Sequence, residues 1–142
     1  MTNCIQAAFS GGGGAGGVTV ERVQVAVEGD FTTTSSSLVD LTSMTATLPN
    51  IDDGFATIGA SAECRISIAE KSYKFTLHNG ATVLSRNPQV GSSEERLPTV
   101  AYYVDDADGG TIKVQVSTNG GTLSVYGSGD STHKTMDILG VG

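Results

Sequence analysis

The sequence has little charge, few aromatic residues and almost no cysteine. Charged residues make up 16% of its 142 residues, tryptophan is absent, and Cys4 and Cys64 are the only cysteines. Cys4 lies near the amino terminus and Cys64 lies within an apolar alternation, so the two indicate neither a disulfide framework nor a metal-binding ribbon. A chain of this length can bury a stable core without disulfides or metal. We therefore expect no cofactor.

Positive charge is also scarce. Lys and Arg number 8 against 15 Asp and Glu, which gives a formal net charge of -7. An acidic chain disfavours contact with nucleic-acid phosphates and with anionic membrane surfaces. No stretch approaches the ~20 apolar residues that span a bilayer, and residues 1–10 lack the basic and long apolar regions of a secretory signal. The expected partners therefore include neither nucleic acid nor a membrane.

The length corresponds to one domain, preceded by a glycine-rich segment. Residues 11–17 contain six glycines in a row broken only by Ala15. Such a segment buries almost no side chain and is typical of a flexible hinge. It lacks the Lys-Ser/Thr pair of a phosphate-binding loop. The sequence thus predicts an arm and hinge at residues 1–17 and a domain at residues 18–142, with hinge residues Gly11, Gly12, Gly13, Gly14, Gly16 and Gly17.

The flexible N-terminal arm is too apolar for a purely solvating tail and too short to fold alone. Such a segment commonly adds a strand to a neighbouring sheet or lies in a groove on a partner. A frayed terminus is the alternative. The residues predicted to bind a partner are Cys4, Ile5, Ala7, Ala8 and Phe9.

After residue 17 the apolar residues alternate with period two, which is the pattern of a strand with one buried face. Between Val18 and Val27 the phase slips at Glu21-Arg22, which predicts a bulge or a break between two short strands. Ala60–Lys71 is open to a helical reading, although Ile66 and Ile68 keep the alternation. Further strands are predicted at Leu38–Leu41, Met44–Leu48, Phe55–Ala62, Cys64–Ala69, Tyr73–Leu77, Thr82–Leu84, Leu97–Val104, Ile112–Ser117, Leu123–Tyr126 and Met136–Leu139.

Turn residues separate these strands. His78-Asn79-Gly80 and Asn119-Gly120-Gly121 each lie between alternating runs and predict hairpins, because Asn and Gly accept positive φ. Asp108-Gly109-Gly110 is a similar turn before Ile112. Many short strands with Gly and Asn turns predict an all-β fold, an antiparallel β-sandwich of jelly-roll-like architecture.

Candidate groups for chemistry lie in loops. Two acidic loops match only fragments of a calcium-binding loop. The C-terminal region contains Ser, His and Asp, which are the components of a nucleophilic catalytic site, but it lacks the Gly-x-Ser-x-Gly motif of a nucleophile elbow. His78, beside its Asn-Gly turn, is predicted to be exposed. We expect no catalytic residue and no metal site, and hence no enzyme. The candidates weighed are Asn50, Asp52, Asp53, Asp105, Asp106, Asp108, Ser128, Asp130, Ser131, His133 and Asp137.

Tyr102 and Tyr103 are adjacent in a predicted strand, which places one ring on each face. One ring is expected in the core, and the other at the rim, in a subunit contact or against a ligand. These two residues are the candidate surface contacts. Without tryptophan, a carbohydrate-binding surface is a weaker hypothesis.

Two parts of the chain resemble a known family. Residues 23–42 run from a valine strand through a Thr/Ser-rich turn to the aliphatic-Asp-aliphatic strand Leu38-Val39-Asp40-Leu41. Residues 112–122 combine Ile112-Lys113-Val114 with Asn119-Gly120-Gly121, and the chain ends with Met136-Asp137-Ile138-Leu139. This order of features resembles the trimeric β-sandwich domains of tailed-bacteriophage virion proteins. Residues 65–71 and 94–97 depart from the pattern.

The resemblance implies a virion structural protein, made in the host cytoplasm. A chain of one domain with a short arm favours a capsid decoration, or cement, protein that forms homotrimers on the outer capsid surface. Its partners would then be further copies of itself and the major capsid protein, and it would stabilise the shell. The alternative is a receptor- or glycan-binding module of a phage fibre or tail tip.

Overall fold

The computed structural model describes residues 4–11, 20–51, 54–90, 96–105, 109–127 and 134–142. Every regular element within these ranges is a strand. The strands are β1 (Cys4–Gly11), β2 (Val20–Val27), β3 (Phe31–Thr33), β4 (Val39–Thr47), β5 (Phe55–Ser61), β6 (Glu63–Ile66), β7 (Ser72–Asn79), β8 (Thr82–Val90), β9 (Thr99–Asp105), β10 (Thr111–Thr118), β11 (Leu123–Tyr126) and β12 (Lys134–Val141).

The strands form three antiparallel sheets around one core. The five-stranded sheet has the order β1-β2-β12-β5-β9, the four-stranded sheet β4-β10-β7-β8 and the three-stranded sheet β3-β11-β6. Sequence neighbours are often in different sheets, so most connections cross between layers. The predicted class, an all-β antiparallel sandwich, is confirmed.

The core follows from the two-residue alternation, which sends every second side chain to the same face of a strand. In β2, Val23, Val25 and Val27 are buried, whereas the intervening side chains are half-buried. Phe75 and Leu77 of β7, in the four-stranded sheet, are fully buried in the same core. The five-stranded sheet therefore has an inner face in the core and an outer face that is free of this core.

The predicted bulge or break at Glu21-Arg22 is wrong. Strand β2 is continuous, and its register with β12 runs without interruption from Val27 opposite Lys134 to Val20 opposite Val141. The irregularity lies instead in β4, where the register against β10 shifts and Ser43 has a φ of 64°. The two strands predicted on either side of Ser43 are thus one bulged strand.

One of the two predicted hairpins is present. His78-Asn79-Gly80 leads from β7 into β8, with Asn79 opposite Thr82 and a positive φ at Gly80. The hairpin predicted at Asn119-Gly120-Gly121 is wrong, because β10 and β11 belong to different sheets. Gly120 and Gly121, which have positive φ, lie instead in a connection between two sheets. The Asn119 side-chain oxygen accepts a 2.7 Å hydrogen bond from the Ser72 amide at the start of β7.

Part of the segment assigned to the arm belongs to the first sheet. Residues 4–11 form β1, which is antiparallel to β2 with Cys4 opposite Val27 and Gly11 opposite Val20. The main chain of the arm therefore forms an edge strand of the sandwich, because β2 offers it a row of hydrogen-bonding partners. Residues 12–17 of the predicted hinge lie outside the described residues, and Gly11 ends β1.

Candidate interaction surfaces

The outer face of the five-stranded sheet carries a cluster of apolar side chains. The register places Leu139 between Arg22 and Thr57, and Thr57 opposite Tyr103. The neighbouring row contains Val141 between Val20 and Phe55. Directly opposed residues of a sheet share a face, so these apolar residues are neighbours. We call this cluster the apolar patch: Val20, Phe55, Tyr103, Leu139 and Val141.

The apolar patch is open to solvent. The exposed fractions are 39% for Val20, 37% for Leu139 and 54% for Tyr103. The Tyr103 ring stacks on the Phe55 ring, with the centroids 5.5 Å apart and the planes 22° from parallel. This contact fixes the tyrosine against the sheet and leaves one side of its ring to solvent.

An ion pair borders the apolar patch. Arg22 of β2 donates to Asp137 of β12 from both Nε and Nη2, at 3.1 Å and 2.9 Å. Both side chains remain about half exposed. The hydrogen bond and the charge of Asp137 raise the pKa of Arg22. Beyond the pair, a shallow depression of about 390 Å³ is lined in part by Gln24, Ala26 and Thr135.

Tyr102 and Tyr103 are both exposed, so the expectation that one ring is buried is wrong. Tyr102 is opposite Ile58 on the inner side of β9, yet 41% of it is accessible. Strand β9 is the edge of the sheet, so Tyr102 has a neighbouring strand on one side only, whereas Val100 on the same face is buried. The two rings thus face different directions along one exposed edge.

A polar cluster lies on the outer face of the four-stranded sheet. It consists of Asp40, Thr76, His78, Lys113 and Gln115. The Thr76 hydroxyl donates to the Gln115 carbonyl at 2.9 Å and lies 2.8 Å from His78 Nε2. Gln115 Nε2 donates to the Asp40 carboxylate at 2.6 Å, and the Lys113 ammonium lies 3.2 Å from the same oxygen. These hydrogen bonds join strands β4, β7 and β10.

His78 was predicted to be exposed, and this is wrong because only 3% of it is accessible. Burial lowers the pKa of His78, and the nearby Lys113 and Arg86 lower it further, against the smaller opposing effect of Asp40. The Gln115 and Lys113 hydrogen bonds lower the pKa of Asp40. The cluster therefore favours a neutral histidine beside an ionised carboxylate.

A buried lysine closes one end of the five-stranded sheet. Lys134 is 2% accessible and its ammonium donates to the Gly29 carbonyl. Burial lowers the pKa of Lys134, and Asp30 opposes this change. The adjacent cavity measures about 110 Å³. This volume is below the roughly 300–1,000 Å³ of small-molecule pockets, so we assign Lys134 a structural role at this end of the sheet.

Most of the other candidates from the sequence lie outside the described residues. Within the described ranges, no three His, Cys, Asp or Glu side chains are grouped so as to hold a metal ion. Asp137 is bound to Arg22. No helix in the part of the chain that the structure describes is long and apolar enough to cross a membrane. Outside the described residues lie Asp52, Asp53, Asp106, Asp108, Ser128, Asp130, Ser131 and His133.

No protein-family model and no curated protein matches the sequence. Among solved structures, the chain is similar to one from the infectious bursal disease virus Gx strain, with 12% identity and a TM-score of 0.46; the match covers 87% of this chain and 36% of that chain. This chain thus spans only about a third of that viral chain.

A second similar structure is the Eiger TNF from S. frugiperda, with 8% identity, a TM-score of 0.43 and coverage of 96% and 91%. A third is the Bacillus endospore appendage, described as a disulfide-linked pilus, with 12% identity, a TM-score of 0.33 and 86% coverage of both chains. Identities and TM-scores this low assign no function to the chain.

Proposed function

We propose that this protein is a virion structural protein that decorates the outer surface of a bacteriophage capsid. In this proposal it forms a homotrimer and stabilises the shell by bridging neighbouring copies of the major capsid protein. It acts by binding and carries out no reaction. The resemblance of residues 18–142 to trimeric virion β-sandwiches supports the proposal.

The observation that carries the proposal is the apolar patch on a hydrogen-bonded sheet. Exposed apolar side chains that cluster on one face are typical of protein interaction sites. Here they lie on strands held by an uninterrupted register, so the surface is already in place before it meets a partner. Repeated side-by-side packing in a shell requires such a preformed surface. Symmetric trimers also match the three-fold positions of a capsid.

Strand β1 provides a second contact in this proposal. It lies at the edge of the five-stranded sheet, and among the described strands only β2 pairs with it. An edge strand can receive a further strand from another protein through main-chain hydrogen bonds. We assign the predicted partner-binding residues Cys4, Ile5, Ala7, Ala8 and Phe9 to a contact of this kind with the major capsid protein.

The test is reconstitution. Capsids assembled without the protein are mixed with the purified full chain, sedimented and analysed for bound protein, and their thermal disruption is then followed. We expect saturable binding in a fixed ratio to the major capsid protein and a higher disruption temperature. A chain that stays in the supernatant, or that binds without any change in disruption temperature, would contradict the proposal.

A second candidate function is glycan or receptor binding at a fibre or tail tip. The exposure of both Tyr102 and Tyr103 favours it, because tyrosine rings at an edge can stack on sugars. A glycan array tests this function directly. Binding that is lost in Tyr102→Ala would support it, and an array without a single bound glycan would count against it.

A further inference from the structure

Two Asn-Gly pairs occur in the sequence, Asn79-Gly80 and Asn119-Gly120. An asparagine that precedes a glycine can lose its side-chain amide without an enzyme. The main-chain nitrogen of the glycine attacks the side-chain carbonyl carbon, and glycine favours this step because it has no Cβ atom to crowd the nitrogen. Both pairs share this local chemistry, so a difference between them in the folded protein comes from their surroundings.

Asn79 is held on both sides by neighbouring strands. It ends strand β7 and lies opposite Ile112 of β10 and Thr82 of β8. The Gly80 amide donates to the Thr111 carbonyl at 2.9 Å. To reach the Asn79 side chain, the Gly80 nitrogen would have to turn away from this carbonyl and break the hydrogen bond. The sheet therefore opposes the reaction at Asn79.

Asn119 lies just beyond the end of β10 and is exposed. The Gly120 amide donates to the Thr118 hydroxyl at 3.2 Å, which is a longer hydrogen bond than that of Gly80 and belongs to no strand pairing. The Asn119 amide donates to the Ser72 carbonyl at 3.0 Å and anchors the chain before the side chain. The peptide unit between Asn119 and Gly120 can therefore turn without disturbing the sheet.

The side chain of Asn119 is also polarised. Its oxygen accepts a 2.7 Å hydrogen bond from the Ser72 amide. Attack on the side-chain carbon places negative charge on this oxygen, and an N–H group that already points at the oxygen stabilises that charge. The same contact that orients Asn119 thus lowers the barrier to attack by the Gly120 nitrogen.

We propose that Asn119 is a site of spontaneous deamidation in the folded protein and that the Ser72 amide promotes the reaction. Hydroxide removes the proton of the Gly120 amide, and the nitrogen forms a bond to the side-chain carbon of Asn119. The bond from that carbon to the side-chain nitrogen breaks, and ammonia leaves with a proton taken from water. Water then opens the cyclic imide to give aspartate, or isoaspartate with one more carbon in the main chain.

Either product adds a negative charge to the connection between β10 and β11. The aspartate can still accept from the Ser72 amide, whereas the longer main chain of isoaspartate shifts this contact. The reaction needs only water and hydroxide, so its test is independent of binding to a capsid.

The experiment incubates the full chain at mildly alkaline pH and measures deamidation by mass spectrometry after digestion with trypsin. The two pairs are released on separate peptides, residues 75–86 and 114–134. A sample taken before incubation corrects for reaction during digestion. In the folded protein we expect Asn119 to react about tenfold or more faster than Asn79. In urea both pairs lose their surroundings, and we expect similar rates, with Asn119 no faster than in the folded protein.

Ser72→Pro tests the role of the Ser72 amide. Proline has no main-chain N–H and is tolerated as the first residue of a strand. We expect slower deamidation of Asn119 and an unchanged rate at Asn79. Ser72→Ala keeps the N–H, so it is the matched control and should keep the wild-type rate. Unfolding curves verify that every variant is folded.

Equal rates at Asn79 and Asn119 in the folded wild type would overturn the proposal, and so would reaction at Asn119 that occurs only in urea. An unchanged or faster rate in folded Ser72→Pro would overturn the role of the Ser72 amide. If this variant does not fold, the wild type decides, because a slower rate at Asn119 in the folded protein than in urea contradicts promotion by the Ser72 amide.

Discussion

The Nε2 atom of His78 lies 2.8 Å from the hydroxyl oxygen of Thr76, and both side chains are buried on a face of the four-stranded sheet that otherwise carries charge. The Thr76 hydroxyl has one proton, which it donates to the Gln115 carbonyl. Nε2 of His78 must therefore carry a proton and donate it to Thr76. This arrangement fixes the tautomer of the neutral imidazole.

The first prediction concerns pH. The folded state lowers the pKa of His78 below its usual 6.5, so the unfolded chain binds more protons between the two values. The free energy of unfolding therefore falls as the pH drops from above the pKa of this histidine in the unfolded chain to its lower pKa in the folded protein. The groups facing His78 are Lys113 and Arg86, which repel the imidazolium, and Asp40, which attracts it.

The measurement is the unfolding temperature between about pH 7.5 and pH 5, the range in which histidine titrates. His78→Gln should show a weaker decrease than the wild type. Equal slopes for the wild type and His78→Gln would contradict the prediction. The folded state lowers the pKa of Asp40 from 3.8, so the contribution of its carboxylate to the free energy of unfolding is lost only at more acidic pH.

The second prediction concerns the Thr76 hydroxyl. Thr76→Val keeps the shape of the side chain and leaves the His78 N–H without its acceptor in a buried site. We expect a loss of roughly 1–3 kcal/mol in the free energy of unfolding, measured by urea denaturation. Thr45→Val, at an exposed position on β4, is the control and should stay within about 0.5 kcal/mol. Similar values for both variants would show that the hydrogen bond contributes nothing.

The third prediction compares two leucines. Leu77 is fully buried, whereas Leu139 is 37% exposed on the apolar patch. Leu77→Ala should reduce the free energy of unfolding by about 2–5 kcal/mol, because it leaves a cavity in the core. Leu139→Ala should cost far less, because this side chain is already partly in contact with solvent. Urea denaturation measures both losses, and equal losses would contradict the assignment of Leu139 to the outer face.

The fourth prediction compares two glycines at strand β5. A Cβ atom at Gly54 would lie 2.1 Å from the Val141 carbonyl oxygen, whereas at Gly59 nothing lies within 4 Å. Gly54→Ala should therefore lower the unfolding temperature sharply. Gly59→Ala should be neutral or should stabilise the protein by about 0.4–1 kcal/mol, since it restricts the unfolded chain. A tolerated Gly54→Ala would show that the end of β12 does not approach this glycine.

The fifth prediction concerns Cys64. The thiol is fully buried, and burial raises its pKa to about 12. Because the thiolate is the reactive form, Cys64 should not react with a thiol reagent in the folded protein. In a Cys4→Ser background, labelling at about pH 8 should begin only when denaturant unfolds the chain. Rapid labelling of the folded protein would contradict the burial of Cys64.

The fold class could be predicted from the sequence because the valine alternation of β2 and the Asn-Gly turn after His78 are local signals. The partner of each strand could not. The glycines at 120 and 121 indicate a turn, but whether the next strand pairs with the previous one depends on long-range packing. The bulge at Ser43 was missed for the same reason, since its position is set by the register against β10.

The surfaces were predicted only in part. The sequence identifies Tyr103 as a contact residue, but Leu139 and Val20 of the apolar patch belong to β12 and β2, and only the sheet order places them on the same face as Tyr103. His78 was assigned to the solvent because it precedes a turn. His78 lies between Lys113 of β10 and Val83 of β8, and one sequence alone does not show that these strands flank it.

Quantitative mass spectrometry of purified virions measures whether the protein is a structural component of a phage particle. We expect the protein to be present in a ratio close to one copy per major capsid protein. A few copies per particle would contradict capsid decoration and would move the protein to a fibre or tail tip. Absence from the particle would contradict the virion role altogether.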